Sequence, residues 1–485
     1  MNCKQSHFKK NRCLVFLFLI IAFVFVKIPF SSVATNGNTI YNCMTADYWN
    51  FAKDIVNGKQ LYVDLLDHKG IYMYFPYIFA YLLGKGNLGI VAFLEAVIYG
   101  LTISTVGYLS YKKTNNKKKS ILFSFVFAIV YFFITIRCPL INVEGLIAPF
   151  YFLFYIWIVY QQKIDKKYFF LIGMILGVFT TIKYSSLLYF AYLFLFATIS
   201  FFLNKKKWIE YAKCVAFGVL GFLVTVVPFA IYLVATNTLQ SYISLMKEAS
   251  FANANAIISY TRISILLFVW SIFLYKKKKE TFEIVLSLST LFLSLIGMQW
   301  LPHYFAFLFT ICFPILLVNV DKKKKAVSSF VIFFVFSILV VDCISENTIL
   351  PEKNYENTTK GISERYGMTN NNTLYLTEDL GFGAYSKEPF KDVYQWIPSR
   401  MIFVDSFYNY LLNLNRNRIQ SKEYEYLVIG NYVELIEKDD LVPNEKMWNE
   451  LFEDVQNNYD LVEMVYDEIA LWKAKPKQKN AYSSN

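Results

Sequence analysis

The chain has 485 residues, is 56% hydrophobic and 19% aromatic, and repeats apolar runs that reach the roughly 20 helical residues needed to cross a bilayer. Its net charge of +12 comes from 48 Lys and Arg against 36 Asp and Glu, but the lysines sit in short clusters between apolar runs, a membrane-anchor pattern and not a nucleic-acid patch. Seven cysteines are scattered without a CxxC pair, which excludes a disulfide-framework or zinc-ribbon class; a Cys43 to Cys138 bridge and burial as small hydrophobes both stay open.

In chain order, the apolar pattern predicts eleven spans: 14–34, 88–111, 120–136, 145–160, 168–184, 187–203, 214–235, 258–275, 281–301, 304–320 and 326–345. The first reads as a retained anchor, with a signal peptide ending near "SVA" at 32–34 as the alternative. Clusters such as "YKKTNNKKK", "NKKKWIEYAK" and "DKKKK" then fall on alternate loops, where short Lys-rich loops stay cytoplasmic. Keeping that alternation requires 70–84, "GIYMYFPYIFAYLLG", to be an interfacial or re-entrant helix on the outer side, which its four tyrosines and Pro76 suit.

The first outer loop, 36–87, gathers the charge. Residues 46–57 have helical spacing, with Tyr48, Phe51, Ala52 and Ile55 on one face and Asp47, Asn50, Asp54 and Asn57 on another; Gly58 can end the helix. Its carboxylates are expected to face water or a cavity. Then follows "LYVDLLDHKG", which places Asp64, Asp67, His68 and Lys69 within six positions. Acidic groups at membrane depth mark a pathway or site, and these open outward. Farther on, Arg137 ends a span, Glu144 stands beside Asn142 in a short outer turn, Lys183 occupies the turn of the 168–203 hairpin, and His303 lies in "QWLPHYF". Lys69, Arg137 and Lys183 are placed to hold a lipid phosphate by charge-assisted hydrogen bonds, with snorkelling to headgroups as the alternative. His303 suits a sugar ring or the interfacial aromatic belt.

Composition changes after residue 345. Residues 346–485 hold 23 acidic and 15 basic side chains, a net of −8, leaving +20 on the first 345 residues. This gives two domains, 1–345 in the membrane and 346–485 soluble, and an odd number of spans puts the second outside. Within it "TLYLT", "MIFV" and "YEYLVIG" read as strands, while 444–457 and 459–472 read as mixed or helical. "NTT" at 357–359 and "NNT" at 371–373 match glycosylation sequons, relevant only in a eukaryotic secretory setting. The fold class is therefore an all-α polytopic membrane protein of about 11 transmembrane helices with a small extracytoplasmic α/β C-terminal domain.

The stretch "ADYWNFAKDIVNGKQLYVDLLDHKGIYMYF" resembles the first outer loop of fold-class C glycosyltransferases, including protein O-mannosyltransferases and aminoarabinose transferases. It is most similar to an uncharacterised bacterial group carrying "Y-x-D-x-x-D-H-K-G-P". "NVEGLIAPF" at 142–150, "IKYS" at 182–185 and "HYF" at 303–305 resemble later, weaker landmarks of that group. The resemblance implies an enzyme of the bacterial cytoplasmic membrane, with a cytoplasmic N-terminus. It would move a sugar from a polyprenyl-phosphate carrier to a glycan, lipid or protein acceptor outside. It implies Asp47 as base and Lys69 as the contact to the carrier phosphate, helped by His68, Arg137 or Lys183, with Asp54, Asp64, Asp67, Glu144 and His303 binding acceptor or supporting the loop. The chain departs from the wider family by carrying Gly70 and Ile71 where that family's proline pair usually stands.

The chemistry needs a carboxylate to take the acceptor proton on one face and cations for the departing phosphate on the other. Asp47 could instead be a polar residue near a helix N-terminus, and Asp67 and His68 could hold the loop by hydrogen bonds. Three histidines rule out a His-rich metal centre, while a carboxylate-held Mg²⁺ or Mn²⁺ stays open. Two other classes remain: a secondary transporter, which should show repeat-related halves that this sequence lacks, and a membrane-anchored sensor or assembly protein working through 346–485.

Overall fold

A computed structural model describes residues 43–65, 67, 69–137, 141–161, 165–183, 186–203, 208–250, 254–277, 283, 285, 286, 288, 289, 314, 315, 359–376, 383, 386, 388–391, 405–430, 445–465 and 469–476. It is largely helical with one small sheet. In chain order the elements are α1 (Cys43–Val56), a 3-10 turn (Ile71–Met73), α2 (Phe75–Gly84), α3 (Gly89–Thr114), α4 (Lys117–Arg137), and α5 (Val143–Ile156) with a π turn to Gln161. They continue with α6 (Lys166–Ile182), α7 (Ser186–Leu203), α8 (Trp208–Ala235), α9 (Leu239–Ser250), α10 (Ala254–Lys277), α11 (Thr359–Tyr366) and β1 (Thr373–Leu376). The last are α12 (Asp405–Gln420), β2 (Tyr426–Gly430), α13 (Glu445–Asn458), β3 (Tyr459–Val465) and β4 (Ile469–Ala474).

The chain divides into two compact units, one of 1–37, 68–239 and 251–351, the other of 38–67, 240–250 and 352–485. In the second unit, therefore, two segments distant in sequence join the acidic C-terminal residues.

In the first unit, helices α3 to α8 and α10 occupy stretches with span-like apolar patterns, and α3 and α8 are long and apolar enough to cross a membrane. The stretches 14–34 and 326–345 lie outside the described residues, and 281–301 and 304–320 are described only at isolated positions. α2 has ten residues, about 15 Å of helix, or half the ~30 Å hydrocarbon core. It opens with Pro76 in its first turn, where a missing N–H costs nothing.

The tightest packing is between α6 and α8, and it comes from absent side chains. A Cβ on Gly173 would stand 1.9 Å from the Gly218 carbonyl oxygen, one on Gly221 2.1 Å from that of Phe170, and one on Gly177 2.0 Å from Thr225 Oγ1. Small residues every three or four positions let two helix backbones touch directly, as in membrane helix pairs. Thr225 Oγ1, which donates within its own helix to Phe222, also lies 3.3 Å from the Met174 carbonyl of α6.

The second unit holds a four-stranded sheet in the order β1-β2-β4-β3. β1 and β2 run parallel, while β4 pairs antiparallel with β2 and with β3. Leu374, Leu376, Leu427 and Ile429 alternate onto one face and pack with Leu412 and Ile419 of α12 and Leu451 and Val455 of α13. Arg416 ties the two helices by pairing with Glu450 and, at 2.7 Å, with Asp454. The opposite face carries Tyr375, whose ring meets Phe390 edge-on at 5.7 Å.

The sequence places helix or mixed structure over 459–472, and here the structure differs: the segment is the β3–β4 hairpin, with a register shift between Leu461 and Glu463. On the edge strand β3, Asp460 is exposed and Glu463 accepts from the Tyr366 hydroxyl at 2.8 Å and pairs with Arg365, and these charges blur the period-two pattern. "MIFV" at 401–404 lies outside the described residues.

Candidate active site

The most specific feature is the seating of the Lys69–Gly70 segment on the C-terminal end of α6. The Gly70 N–H donates to the Ile182 carbonyl at 3.2 Å, and a Cβ on Gly70 would stand 1.8 Å from the Thr181 carbonyl oxygen. Only glycine lets the backbone approach this closely. α6 ends at this contact: Lys183 leaves the helical region at φ −153°, ψ 113°. Lys69 is buried and Lys183 half-buried, so two cations 114 positions apart in sequence flank one hydrogen bond. The last carbonyls of a helix carry partial negative charge, which favours cations there. Just after Gly70, the Tyr72 hydroxyl donates to the Thr225 carbonyl of α8 at 2.8 Å, and Tyr77 of α2 donates to the Ile141 carbonyl at 2.8 Å. The lysine-bearing loop is thereby bonded to three parts of the first unit.

In the second unit, α1 ends as its sequence predicts. Gly58 takes φ +95°, its N–H bonds to the Ile55 carbonyl, and Lys59 N–H bonds back to the Asp54 carbonyl, the paired bonds of a Schellman cap. Of the two directions expected for its carboxylates, Asp54 does not take water: its side chain is 1% exposed, and Asn50 and Lys53 on the same helix are also buried. Asp54 pairs with Lys59 at 3.1 Å and accepts the Phe390 N–H at 3.1 Å. Lys53 Nζ donates to the carbonyls of Gly383 at 2.8 Å and Ser386 at 2.9 Å. The reason is that a second layer of chain covers the polar face and meets it with backbone groups.

Burial sets the electrostatics of this cluster. Loss of water pushes the Lys53 ammonium down to about 7, opposed by the Asp54 carboxylate and reinforced by Lys59. Burial also raises the Asp54 carboxyl, against the pull of Lys59, Lys53 and the Phe390 amide.

The remaining candidates distribute as follows. Asp47 lies on α1, half-buried, with its Oδ1 sealed from solvent. Asp64 closes its own loop by accepting the Gln60 N–H at 2.8 Å, beside Tyr62 at φ +75°. Tyr62 in turn packs on Tyr242 of α9 at 5.0 Å. Asp67 is buried. Glu144 is the second residue of α5, whose N-cap is Asn142, accepting the Gly145 N–H at 2.6 Å. Arg137 ends α4. His68, His303, residue 138 and the side chains of Cys43, Arg137 and Glu144 lie outside the described residues. Among the described residues no three His, Cys, Asp or Glu side chains gather as a metal site would require.

Among the described residues, two charged clusters, each with a buried carboxylate, are not readable from the sequence. One is Lys53 with Asp54. In the other, Lys113 at the end of α3 pairs with Glu283 at 3.0 Å, and the Tyr160 hydroxyl donates to the same carboxylate at 2.9 Å. Lys113 lies within "YKKTNNKKK" and reads as a solvated anchor. Only the 170-residue separation hides its partner.

Chemically, the first unit offers a helix C-terminus whose partial negative charge favours cations, at a bond between the sequence neighbours of two lysines. The second offers a carboxylate, Asp47, on a helix held by buried polar bonds. No protein-family profile matches the chain, and no curated protein matches it.

Proposed function

We propose that this chain is a polytopic membrane glycosyltransferase that takes a sugar from a polyprenyl-phosphate donor and passes it to an acceptor at the outer face of a bacterial cytoplasmic membrane. The seating of Lys69–Gly70 on the end of α6 beside Lys183 carries the reading. The family resemblance implies Lys69 as a phosphate contact and the sequence offers Lys183 either for that role or for snorkelling to headgroups; the hydrogen bond between their neighbours supports a shared anion-binding role. The apolar surface exposed by α8, including Val219, Leu223, Val227 and Ile231, supports a lipid setting, and eleven spans in total are part of the proposal.

In this scheme the acceptor hydroxyl attacks the anomeric carbon from the face opposite the phosphate. Asp47 takes the hydroxyl proton, a new C–O bond forms, and the bond to the phosphate oxygen breaks with inversion. Polyprenyl phosphate leaves with the electron pair, and Lys69, with His68, Arg137 and Lys183, stabilises its growing charge. Asp54, Asp64 and Asp67 support the loop, and Glu144 and His303 contact the acceptor. Binding of polyprenyl-phosphate sugars to purified protein tests the reading. Lys69→Ala and Lys183→Ala should each weaken binding about tenfold or more, in line with the loss of one charge-assisted hydrogen bond. Unchanged binding in both variants removes the phosphate assignment.

A further inference from the structure

We infer that Lys53 is a positioning residue, which with Asp54 ties α1 to segment 383–390 and so fixes the direction in which Asp47 points. The inference rests on the proposed role of Asp47 as base.

Two consecutive side chains of α1 bond to one segment some 330 positions away. Lys53 donates to Gly383 and Ser386 carbonyls, and Asp54 accepts from the Phe390 amide. The Phe390 ring reinforces this, with Lys53 Nζ and Lys59 Nζ each 5.8 Å from its centroid and Tyr375 of β1 against its edge. Apolar residues would bury more cheaply here, because a desolvated ion pair gains little over a well-packed hydrophobic substitute. What polar bonds add is direction: three hydrogen bonds at fixed angles set the rotation and register of a helix, whereas apolar contact lets it slide. Asp47 and Asp54 are seven residues apart on one helix, nearly two full turns, so they share a face about 10 Å apart along the axis. Holding Asp54 therefore orients Asp47.

The test uses the full chain in detergent, with Lys53→Met, which keeps the volume and removes the donors, and Asp54→Asn, which keeps an acceptor for Phe390 and removes the charge. Hydrogen exchange of 45–57 should speed up roughly tenfold or more in Lys53→Met and by a smaller factor in Asp54→Asn, with β2 and β4 unchanged. Sugar transfer should fall in kcat while the KM for donor holds. Exchange of α1 at the wild-type rate in both variants overturns the inference. If Lys53→Met also exposes β2 and β4, the fold itself has failed, and Asp54→Asn decides alone. If wild-type protein transfers no sugar from any donor, the role of Asp47 fails, while the exchange rates still decide whether this tie holds α1.

Discussion

Gly70 donates its backbone N–H to the carbonyl of Ile182 at 3.2 Å, in a contact with no room for a side chain. This joins the first charged loop to the end of α6 at residues that are the sequence neighbours of Lys69 and Lys183. Gly70→Ala should disturb it, because the added methyl would meet backbone and not a flexible side chain. A cost of about 1–3 kcal/mol is expected from overpacking, read as a lower thermal midpoint with weaker donor binding. Gly70→Pro should do worse, since it also removes the donor. A thermal midpoint and donor affinity equal to wild type in Gly70→Ala would show that this contact is not tight in solution.

The α6–α8 seam makes a second prediction. Gly173→Val or Gly221→Val places side-chain carbon where backbone now stands, so the helices must separate. Either variant should reduce the yield of monodisperse protein and lower its thermal midpoint more than Gly58→Ala, which meets no neighbour within 4 Å and is strained only by its φ of +95°. Size-exclusion profiles and melting curves of the three variants check the ranking.

Glu283 makes a third. Removing one partner of a buried ion pair leaves the other charge uncompensated, at a cost of about 3–5 kcal/mol. Lys113→Met, which removes the ion-pair partner of the buried Glu283 carboxylate, should therefore be strongly destabilising, and adding Glu283→Ala should recover part of the loss. A double variant no more stable than Lys113→Met would contradict the pairing.

The fourth concerns pH. The Lys53 ammonium is lowered to about 7 from an ordinary 10.5, so between those values the unfolded chain carries a proton there that the folded unit lacks. Stability from this group thus rises with pH across that window, by up to about 1.4 kcal/mol per pH unit, and is lost as pH falls through about 7. Asp54 acts oppositely in acid: its carboxyl is raised, so its contribution is present below the ordinary carboxylate range and disappears as pH rises through the folded value. Melting curves at pH 7 to 10 should show a positive slope in wild type that Lys53→Met lacks.

Local signals were legible. A helix across 46–57 stopped by Gly58 follows from spacing and one glycine, and α1 ends there because Gly58 takes the left-handed conformation. A helix within 70–84 was readable as well, and α2 fills ten of those residues. What sequence could not reveal is pairing at a distance. Lys53 finds its carbonyls at 383 and 386, and Lys113 finds Glu283, so helices whose polar faces look solvated are covered. The β3–β4 hairpin was missed because charges on an edge strand imitate a surface helix. The need for glycine at 70 is intelligible only with the structure: any side chain there would meet the Thr181 carbonyl, and a proline has no N–H to give Ile182.

In the proposed reaction Asp47 takes the acceptor proton while Lys69 holds the donor phosphate. The most direct measurement is transfer of radiolabelled sugar from a panel of polyprenyl-phosphate sugars by purified wild type, Asp47→Asn and Lys69→Ala. The account predicts transfer by wild type, a collapse of about 100-fold or more in Asp47→Asn with donor binding intact, and weakened donor binding in Lys69→Ala. Full transfer by Asp47→Asn, or no transfer from any donor together with substrate uptake into proteoliposomes, would contradict it.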